Sequence, residues 1–180
     1  MKEDLIREVE LVDGVSADLK GNSLTVKGAK GEVTKHFPHP LVNIVVEGKK
    51  VIFKAAKATK REKKVIASFE AHVKNMVQGV QEPHLYKVKI CSGHFPMNVT
   101  ITGDEVTIKN FLGESVPRKV KLIAGANVKV EGTEITISSP NKEVAGQNAA
   151  KIESLCRITN RDRRIFQDGC YIIHKSGKDM

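Results

Sequence analysis

Hydrophobic and polar residues alternate in short segments along the first third of the chain, and turn residues separate these segments. An alternation with a period of two residues predicts β-strands that bury one face. Turn signals such as Asp13-Gly14, Gly21-Asn22-Ser23 and Gly48-Lys49 mark the ends of strands. The predicted strands cover residues 16–20, 24–27, 32–37, 42–47 and 50–54.

The pattern then changes to a helical period. Thr59-Lys-Arg-Glu62 has the form of a capping box, in which a Thr and a Glu side chain satisfy the first backbone amides of a helix. Hydrophobic residues next recur three and four positions apart, which predicts a helix of about five turns that ends near Gly79. The residues on its apolar face are Val65, Ile66, Phe69, Val73, Met76 and Val77.

The second half of the chain repeats this order of turns, strands and helix. Residues 21–27 and 103–109 share the pattern Gly-x-x-apolar-Thr-apolar-Lys at an offset of 82 residues, and Val46-Glu47-Gly48 corresponds to Val130-Glu131-Gly132 at an offset of 84. A repeat of about 80 residues has the size of a small domain. The sequence therefore predicts an α+β fold made of two tandem copies of a small module, each an antiparallel sheet packed against one main helix. The predicted modules are residues 1–82 and 83–180.

A second helical pattern covers residues 141–156, where one face is small and apolar and can pack on a sheet. Pro140 suits the first turn of this helix, and either Ser139 or Asn141 can cap it. The residues that recur at helical spacing are Val144, Ala145, Asn148, Ala149, Ile152, Leu155 and Cys156.

The segment after this helix carries a cluster of arginines that the first copy lacks. Arg157, Arg161, Arg163 and Arg164 lie within eight residues, and only Asp162 opposes them. Guanidinium groups hold phosphate oxygens through two hydrogen bonds at a time, so the cluster predicts phosphate binding. The alternative is a solvated helix end whose cations favour the helix dipole. A short helix at about 160–166 and a final strand at 170–173 are expected here.

The amino-acid composition indicates which kind of ligand this chain binds. The chain of 180 residues has a net charge of +9, which indicates a polyanion, and no apolar segment reaches the length of a membrane span. Aromatic residues make up only 4% of the chain, so we expect RNA contacts through phosphates, sugar hydroxyls and shape more than through stacked bases. The three widely spaced cysteines are typical of thiols in or near the core of a cytoplasmic protein.

The sequence offers no constellation for catalysis. None of the six histidines has metal-ligand spacing with a second His or Cys. Cys91 and His94 lie close in sequence, but no further ligand residue accompanies these two. There is no Gly-x-Ser-x-Gly nucleophile motif and no phosphate-loop or dinucleotide fingerprint. We therefore predict a non-enzymatic protein with no metal site, no cofactor and no small-molecule substrate.

Gly28-Ala-Lys-Gly31 has the form of the Gly-x-x-Gly clamp of one RNA-binding module. That clamp joins two helices, whereas strand-like residues flank this segment. The segment is better interpreted as a hairpin that uses the positive φ open to glycine, with Lys30 exposed at its tip. A lysine held there could contact a phosphate.

Longer motifs resemble the archaeal and eukaryotic branch of the large-subunit ribosomal protein six family. They are Leu24-Thr-Val-Lys-Gly-Ala-Lys-Gly31, Asn75-Met-Val-Gln-Gly-Val80, Asn141-Lys-Glu-Val-Ala-Gly-Gln-Asn-Ala-Ala150 and Arg164-Ile-Phe-Gln-Asp-Gly169. The resemblance covers essentially the whole chain. Two features depart from it: Ala29 stands where members often have proline, and the bacterial ending rich in Pro, Tyr, Lys and Gly is missing.

The resemblance implies a structural constituent of the large ribosomal subunit in the cytoplasm. It implies binding to large-subunit rRNA near the sarcin–ricin loop, the translation-factor site and the stalk base, next to other ribosomal proteins. It also implies that the second module is the main rRNA-binding part, which agrees with the position of the arginine cluster.

Ten residues are the predicted rRNA contacts. Six of them would neutralise phosphates: Arg157, Arg161, Arg163, Arg164, Lys175 and Lys178. Three near the start of the second helix would donate hydrogen bonds to sugar or phosphate, namely Lys142, Gln147 and Asn148, and Lys30 is the tenth. Two alternatives remain open at this point: a non-ribosomal RNA chaperone or RNA-modifying factor, and a protein-interaction adaptor whose basic patch confers solubility.

Overall fold

The computed structural model describes residues 3–180. The chain divides into two compact units, Met1–Pro83 and His84–Met180. Each unit has its own hydrophobic core.

The first unit contains six strands and one long helix. In chain order these are β1 (Glu3–Glu10), β2 (Ser16–Lys20), β3 (Ser23–Gly28), β4 (Gly31–His36), β5 (Asn43–Glu47), β6 (Lys50–Ala58) and α1 (Lys60–Gln81). The strands form two antiparallel sheets, in the orders β1-β6-β5 and β2-β3-β4.

The second unit contains eight strands and one main helix. In chain order these are β7 (His84–Cys91), β8 (Asn98–Thr102), β9 (Glu105–Lys109), β10 (Arg118–Lys121), β11 (Asn127–Glu131), β12 (Glu134–Ser139), α2 (Lys142–Leu155), β13 (Gly169–Lys175) and β14 (Lys178–Asp179). The strands again form two antiparallel sheets, in the orders β10-β9-β8 and β11-β12-β7-β13-β14.

The predicted duplication is confirmed in the strand order and in the turns. The order β5-β6-β1 of the first unit corresponds to β11-β12-β7 of the second, which then adds β13 and β14. The turn glycines Gly21 and Gly103 have φ of 60° and 59°, and Gly48 and Gly132 have φ of 58° and 60°. This left-handed backbone favours glycine, which explains why both copies keep it. The fold differs from the prediction in one respect, because the strands of each copy divide into two sheets.

Helix α1 begins as the capping box predicts. The backbone amide of Thr59 donates to the Glu62 carboxylate at 2.8 Å, and the helix runs to Gln81, slightly beyond the expected end. Its apolar face packs on both sheets of the first unit. Fully buried members of this core include Leu24, Val26, Val51, Phe53, Ile66, Val73 and Val80.

Helix α2 begins at Lys142, two residues after Pro140. The Asn141 side chain accepts a hydrogen bond from the Glu143 amide at 2.9 Å and is the N-cap, so Pro140 precedes the cap. Ser139 is buried and donates to the Gly125 carbonyl at 2.7 Å instead of capping the helix. Ala145, Ala149 and Ile152 on the buried face of α2 belong to the second core, together with Val88, Val106, Ile108, Ile135 and Ile137 from the strands.

The short helix predicted at about 160–166 is wrong. The amides of Ile165 and Phe166 both donate to the Asp162 carbonyl, at 3.2 and 2.9 Å, which gives a single turn. Asn160 has a left-handed φ of 59°, and the Asp162 side chain accepts the Arg164 amide at 2.9 Å. Such side-chain bonds compete with helical hydrogen bonds and favour turns.

Candidate nucleic-acid interface

The arginine cluster lies on the segment that connects α2 to β13, which we call the arginine loop (residues 157–168). Its four arginines, Arg157, Arg161, Arg163 and Arg164, are all exposed. Asp162 is the one exposed acidic residue of this loop, so positive charge dominates its exposed side chains. The loop has little secondary structure, so its conformation depends on contacts made at its two ends and in its middle.

Arg118, at the start of β10, holds the beginning of the loop. Its Nη1 atom donates to the Leu155 carbonyl at 2.8 Å and to the Arg157 carbonyl at 3.3 Å. Its Nε and Nη2 atoms donate to both carboxylate oxygens of Glu114, at 2.8 and 2.6 Å, and its guanidinium lies 4.3 Å from the Phe111 ring centroid. Helix ends leave their last carbonyls without helical partners, so this arginine satisfies groups that would otherwise need water.

Asp168 holds the end of the loop. This residue is only 2% exposed, and its carboxylate accepts hydrogen bonds from the backbone amides of Gly93 and His94. The Nδ1 atom of His94 lies 3.1 Å from the second carboxylate oxygen. A buried carboxylate needs such donors, so the end of the arginine loop is tied to the segment between β7 and β8.

The middle of the loop is braced by a stack of three side chains. The Arg161 guanidinium lies 4.8 Å from the Phe166 ring centroid, and the Phe166 and His94 rings are 4.9 Å apart. Cation–π contact orients a guanidinium without using its N–H groups. Arg161 is therefore positioned while it keeps its hydrogen-bonding capacity for a ligand.

Arg164 differs from the other three arginines because it is paired. Its Nη2 and Nε atoms donate to the Asp162 carboxylate at 2.7 and 3.1 Å, and these bonds hold the pKa of Asp162 below its ordinary value. Asp162 therefore stays charged at neutral pH and offsets part of the Arg164 charge. The Arg164 side chain is nevertheless 89% exposed, and exposed ion pairs are weak enough to open for a stronger anion.

A second group of predicted contacts lies at the other end of α2 and β13. Gly146 packs against the Tyr86 ring, and Tyr86 is the register partner of Lys175, so the start of α2 lies near the end of β13. Lys175 in turn pairs with Lys178 in the β13–β14 hairpin. Seven residues of strand span about 20 Å, which separates this group from the arginine loop. Its members are Lys142, Gln147, Lys175 and Lys178.

Asn148 does not belong to this surface, which corrects the prediction. Its side chain is 0% exposed, its Oδ1 accepts from the Ile123 amide at 2.7 Å, and its Nδ2 donates to the Ile123 carbonyl at 3.0 Å. Both amide groups are used inside the protein. The residue fixes the β10–β11 connection to α2 and has no group left for RNA.

Lys30 lies in the first unit, at the tip of the β3–β4 hairpin, and its side chain is exposed as predicted. Its backbone amide donates to the Val80 carbonyl at 2.9 Å. A Cβ atom on Gly28 would lie 2.7 Å from Val80 Cγ2 and 2.9 Å from the Val80 carbonyl oxygen, so glycine permits this close contact. Gly31 has the positive φ expected of the hairpin, at 138°.

Sequence reasoning missed the residues that hold the arginine loop in place. Arg118 carries no local signal, because its role depends on contacts between distant segments. Phe166 and Asp168 both lie within the family-like motif at residues 164–169, which is the one signal of their importance. Within residues 3–180, no group of three or more His, Cys, Asp or Glu side chains could hold a metal ion. Neither of the two main helices is long and apolar enough to cross a membrane.

Comparison with known proteins gives a consistent result over the whole chain. Residues 12–83 and 95–169 each match the sequence profile described as Ribosomal protein L6. The large ribosomal subunit protein uL6 of Methanocella arvoryzae is 41% identical over 177 residues, which cover 98% of this chain and 100% of that protein. The uL6 proteins of Methanococcus vannielii and Nanoarchaeum equitans are 41% and 39% identical and cover 97% and 96% of this chain, and 96% and 94% of their own lengths.

Proposed function

This chain belongs to the ribosomal protein L6 family, whose members are structural, non-enzymatic proteins of the large ribosomal subunit, and from this premise we propose that its second unit binds large-subunit rRNA through the arginine loop. The proposal extends to the position of the site: near the sarcin–ricin loop, the translation-factor site and the stalk base, on cytoplasmic ribosomes. Neighbouring ribosomal proteins and passing translation factors are the proposed protein contacts.

One observation carries the proposal: the arginine loop is charged, exposed and fixed at both ends. Arg118 holds its start and the buried Asp168 holds its end. Ordering a flexible loop on binding costs conformational entropy, and a loop that is already ordered avoids much of that cost. Arg157, Arg161 and Arg163 therefore present guanidinium groups to phosphates in a prepared arrangement.

The lysine group at the other end of α2 gives the second unit a second point of contact. Lys175 and Lys178 extend from a hairpin about 20 Å from the arginine loop. Two such points separated by a rigid helix and sheet suit a folded RNA, because two backbone segments can be held at a fixed spacing. We assign phosphate binding to these lysines and to Lys142, and sugar or phosphate hydrogen bonding to Gln147.

The salt dependence of binding to large-subunit rRNA tests this proposal. If about six phosphates are neutralised, affinity falls roughly a thousandfold from low to physiological salt. Replacing Arg161, Arg163 and Arg164 together by alanine should weaken binding and flatten the logarithmic salt slope by about 3, since each phosphate contact contributes about 0.9. Unchanged affinity and slope in this variant would overturn the assignment.

A matched control removes the same charge from another surface of the same unit. Lys109, Lys119 and Lys129 lie on exposed positions of β9, β10 and β11. Their triple replacement by alanine should leave the slope close to that of the wild type. An equal loss in both variants would mean that net charge, and not the arginine loop, governs binding.

The adaptor alternative predicts a different behaviour in lysate. A ribosomal component should leave the large-subunit sedimentation peak as ribonuclease digests the RNA. An adaptor should remain with its protein partner under the same treatment. An RNA chaperone should distribute over many RNAs and should not sediment at a fixed ratio with large subunits.

A further inference from the structure

A cavity of about 300 Å³ opens between the arginine loop and β13. Its floor is apolar and buried: Cys156 is 4% exposed, Cys170 is 1% exposed, and their sulfur atoms are 3.5 Å apart. Arg157 and Arg163 line the same cavity and are exposed. Glu153 lines the cavity as well, and its Oε1 atom accepts a hydrogen bond from the Ile172 amide at 3.1 Å. The cavity therefore combines a buried floor of two thiols with two arginines and one already bonded carboxylate on its walls.

Tyr171 forms another wall of this cavity and is held in a defined orientation. Its ring lies over Gly169, where an added Cβ atom would be 3.3 Å from the Tyr171 Cζ atom. Its hydroxyl donates to the Asp168 carbonyl at 3.4 Å. Part of the ring remains open, since the residue is 41% exposed. Burial of the other part raises the pKa of Tyr171, so the ring is uncharged at neutral pH.

We propose that this cavity takes one unstacked nucleotide of the bound RNA, with its base against the Tyr171 ring and its phosphates held by Arg157 and Arg163. The proposal rests on the proposed function and specifies how the same surface recognises its ligand. Splayed bases in RNA loops and bulges are commonly stacked on aromatic rings and guanidinium planes.

Size and charge favour this occupant over others. A cavity of about 300 Å³ lies at the lower end of the pockets that take small molecules, and a nucleobase is a small planar group. The two exposed arginines favour an anionic ligand, and the aromatic wall favours a planar ring. An acidic peptide segment would satisfy the arginines but would leave the Tyr171 ring without a stacking partner.

Two kinds of variant test the cavity in the full chain, with large-subunit rRNA transcribed in vitro as the probe. Tyr171→Leu should lower affinity by about fivefold to 150-fold, the range that stacked bases contribute, whereas Tyr171→Phe should retain it. Ser154 lines the mouth of the cavity and is exposed, so Ser154→Phe should block entry without removing core packing, and Ser154→Ala should have no effect.

The salt slope distinguishes this proposal from the general one. Tyr171→Leu and Ser154→Phe remove no charge, so both should lower affinity and leave the slope unchanged. If the wild-type protein failed to bind the rRNA, both the proposed function and the nucleotide proposal would be overturned. If the wild type bound with a steep slope and both variants bound equally well, only the nucleotide proposal would be overturned.

One further outcome identifies the competing occupant. If both variants kept their rRNA affinity but lost a crosslink to a ribosomal protein in assembled particles, the cavity would hold an acidic peptide segment and the nucleotide proposal would be wrong. Urea unfolding followed by the fluorescence of Tyr86 checks that Ser154→Phe and Tyr171→Leu are folded.

Discussion

The Nη1 atom of Arg118 lies 2.8 Å from the carbonyl oxygen of Leu155, and this hydrogen bond joins the start of β10 to the end of α2. The same guanidinium group also bonds Glu114 through two atoms and the Arg157 carbonyl through Nη1. Arg118 thus fixes the point where the arginine loop leaves the helix. Its guanidinium is engaged within the fold, whereas the loop arginines are exposed and are the proposed RNA contacts.

Replacing Arg118 by methionine should destabilise the second unit by about 2 kcal/mol, since hydrogen bonds to a charged donor contribute about 1.5–3 kcal/mol. Affinity for rRNA should fall because the loop loses its anchor, while the salt slope stays the same. Both tyrosines, Tyr86 and Tyr171, lie in the second unit and the chain has no Trp, so tyrosine fluorescence in urea reports this unit.

The control for this variant is Lys119→Met on the same strand. Lys119 is exposed and pairs with Glu105 at 3.1 Å, an arrangement that contributes at most about 1 kcal/mol. Equal destabilisation by both replacements would contradict the role given to Arg118.

Low pH should weaken the hydrogen bonds between Arg118 and Glu114. Hydrogen bonding from Arg118 is the main cause that holds the pKa of Glu114 below its ordinary value of 4.5. A carboxylate whose pKa is depressed by folding adds stability that is fully present above its ordinary pKa and is lost as pH falls through the lower, folded pKa. Urea midpoints of the second unit should therefore decline below about pH 5 in the wild type, and part of this decline should be absent in Glu114→Gln. Glu131→Gln, at the exposed end of β11, is the control, and a Glu114→Gln curve that follows the wild-type pH profile would exclude the effect.

Asn148 and Gln147 are neighbours on α2, but their replacement should affect stability differently. Asn148→Ala should lower the free energy of unfolding by about 2 kcal/mol, because the Ile123 amide and carbonyl lose their partners. Gln147→Ala, at an exposed position, should change it by less than about 0.5 kcal/mol. Measured where both variants are folded, rRNA affinity should be unaffected by Asn148→Ala. A specific loss of affinity in that variant would return Asn148 to the binding surface.

Gly28 permits the close contact between the β3–β4 hairpin and the end of α1. Gly28→Ala should destabilise the first unit by about 1–3 kcal/mol, because the added methyl group meets the Val80 carbonyl at 2.9 Å and backbone must shift. Hydrogen exchange should become faster at the Lys30 amide and over the last turn of α1. Ala29→Ser at the exposed tip should leave exchange unchanged, and slow exchange at Lys30 in Gly28→Ala would show that the contact is less tight than described.

Much of the fold follows from local patterns in the sequence. The capping box at Thr59 and Glu62 places the start of α1, and the left-handed turns at Gly21 and Gly103 are visible as repeated Gly-x-x motifs. These features depend on residues that are close in sequence, and the internal repeat shows the glycine turn in both copies. The division of each copy's strands into two sheets depends on long-range pairing, which local alternation does not specify.

The sequence predicts the proposed binding surface only as a cluster of charges. Arg157, Arg161 and Arg163 stand out in the sequence as a cluster, but Asn148 shares the helical spacing of its neighbours and gives no sign of its bonds to Ile123. Arg118 looks like any surface cation until its distance to Leu155 is known. Positions of charge are local properties, whereas anchoring and burial come from packing between segments.

Crosslinking at nucleotide resolution, in native large subunits, tests the central claim most directly. We expect rRNA crosslinks concentrated on the second unit, on the arginine loop and on the Lys175–Lys178 hairpin. Crosslinks confined to the first unit, or large subunits that lack this chain, would contradict it.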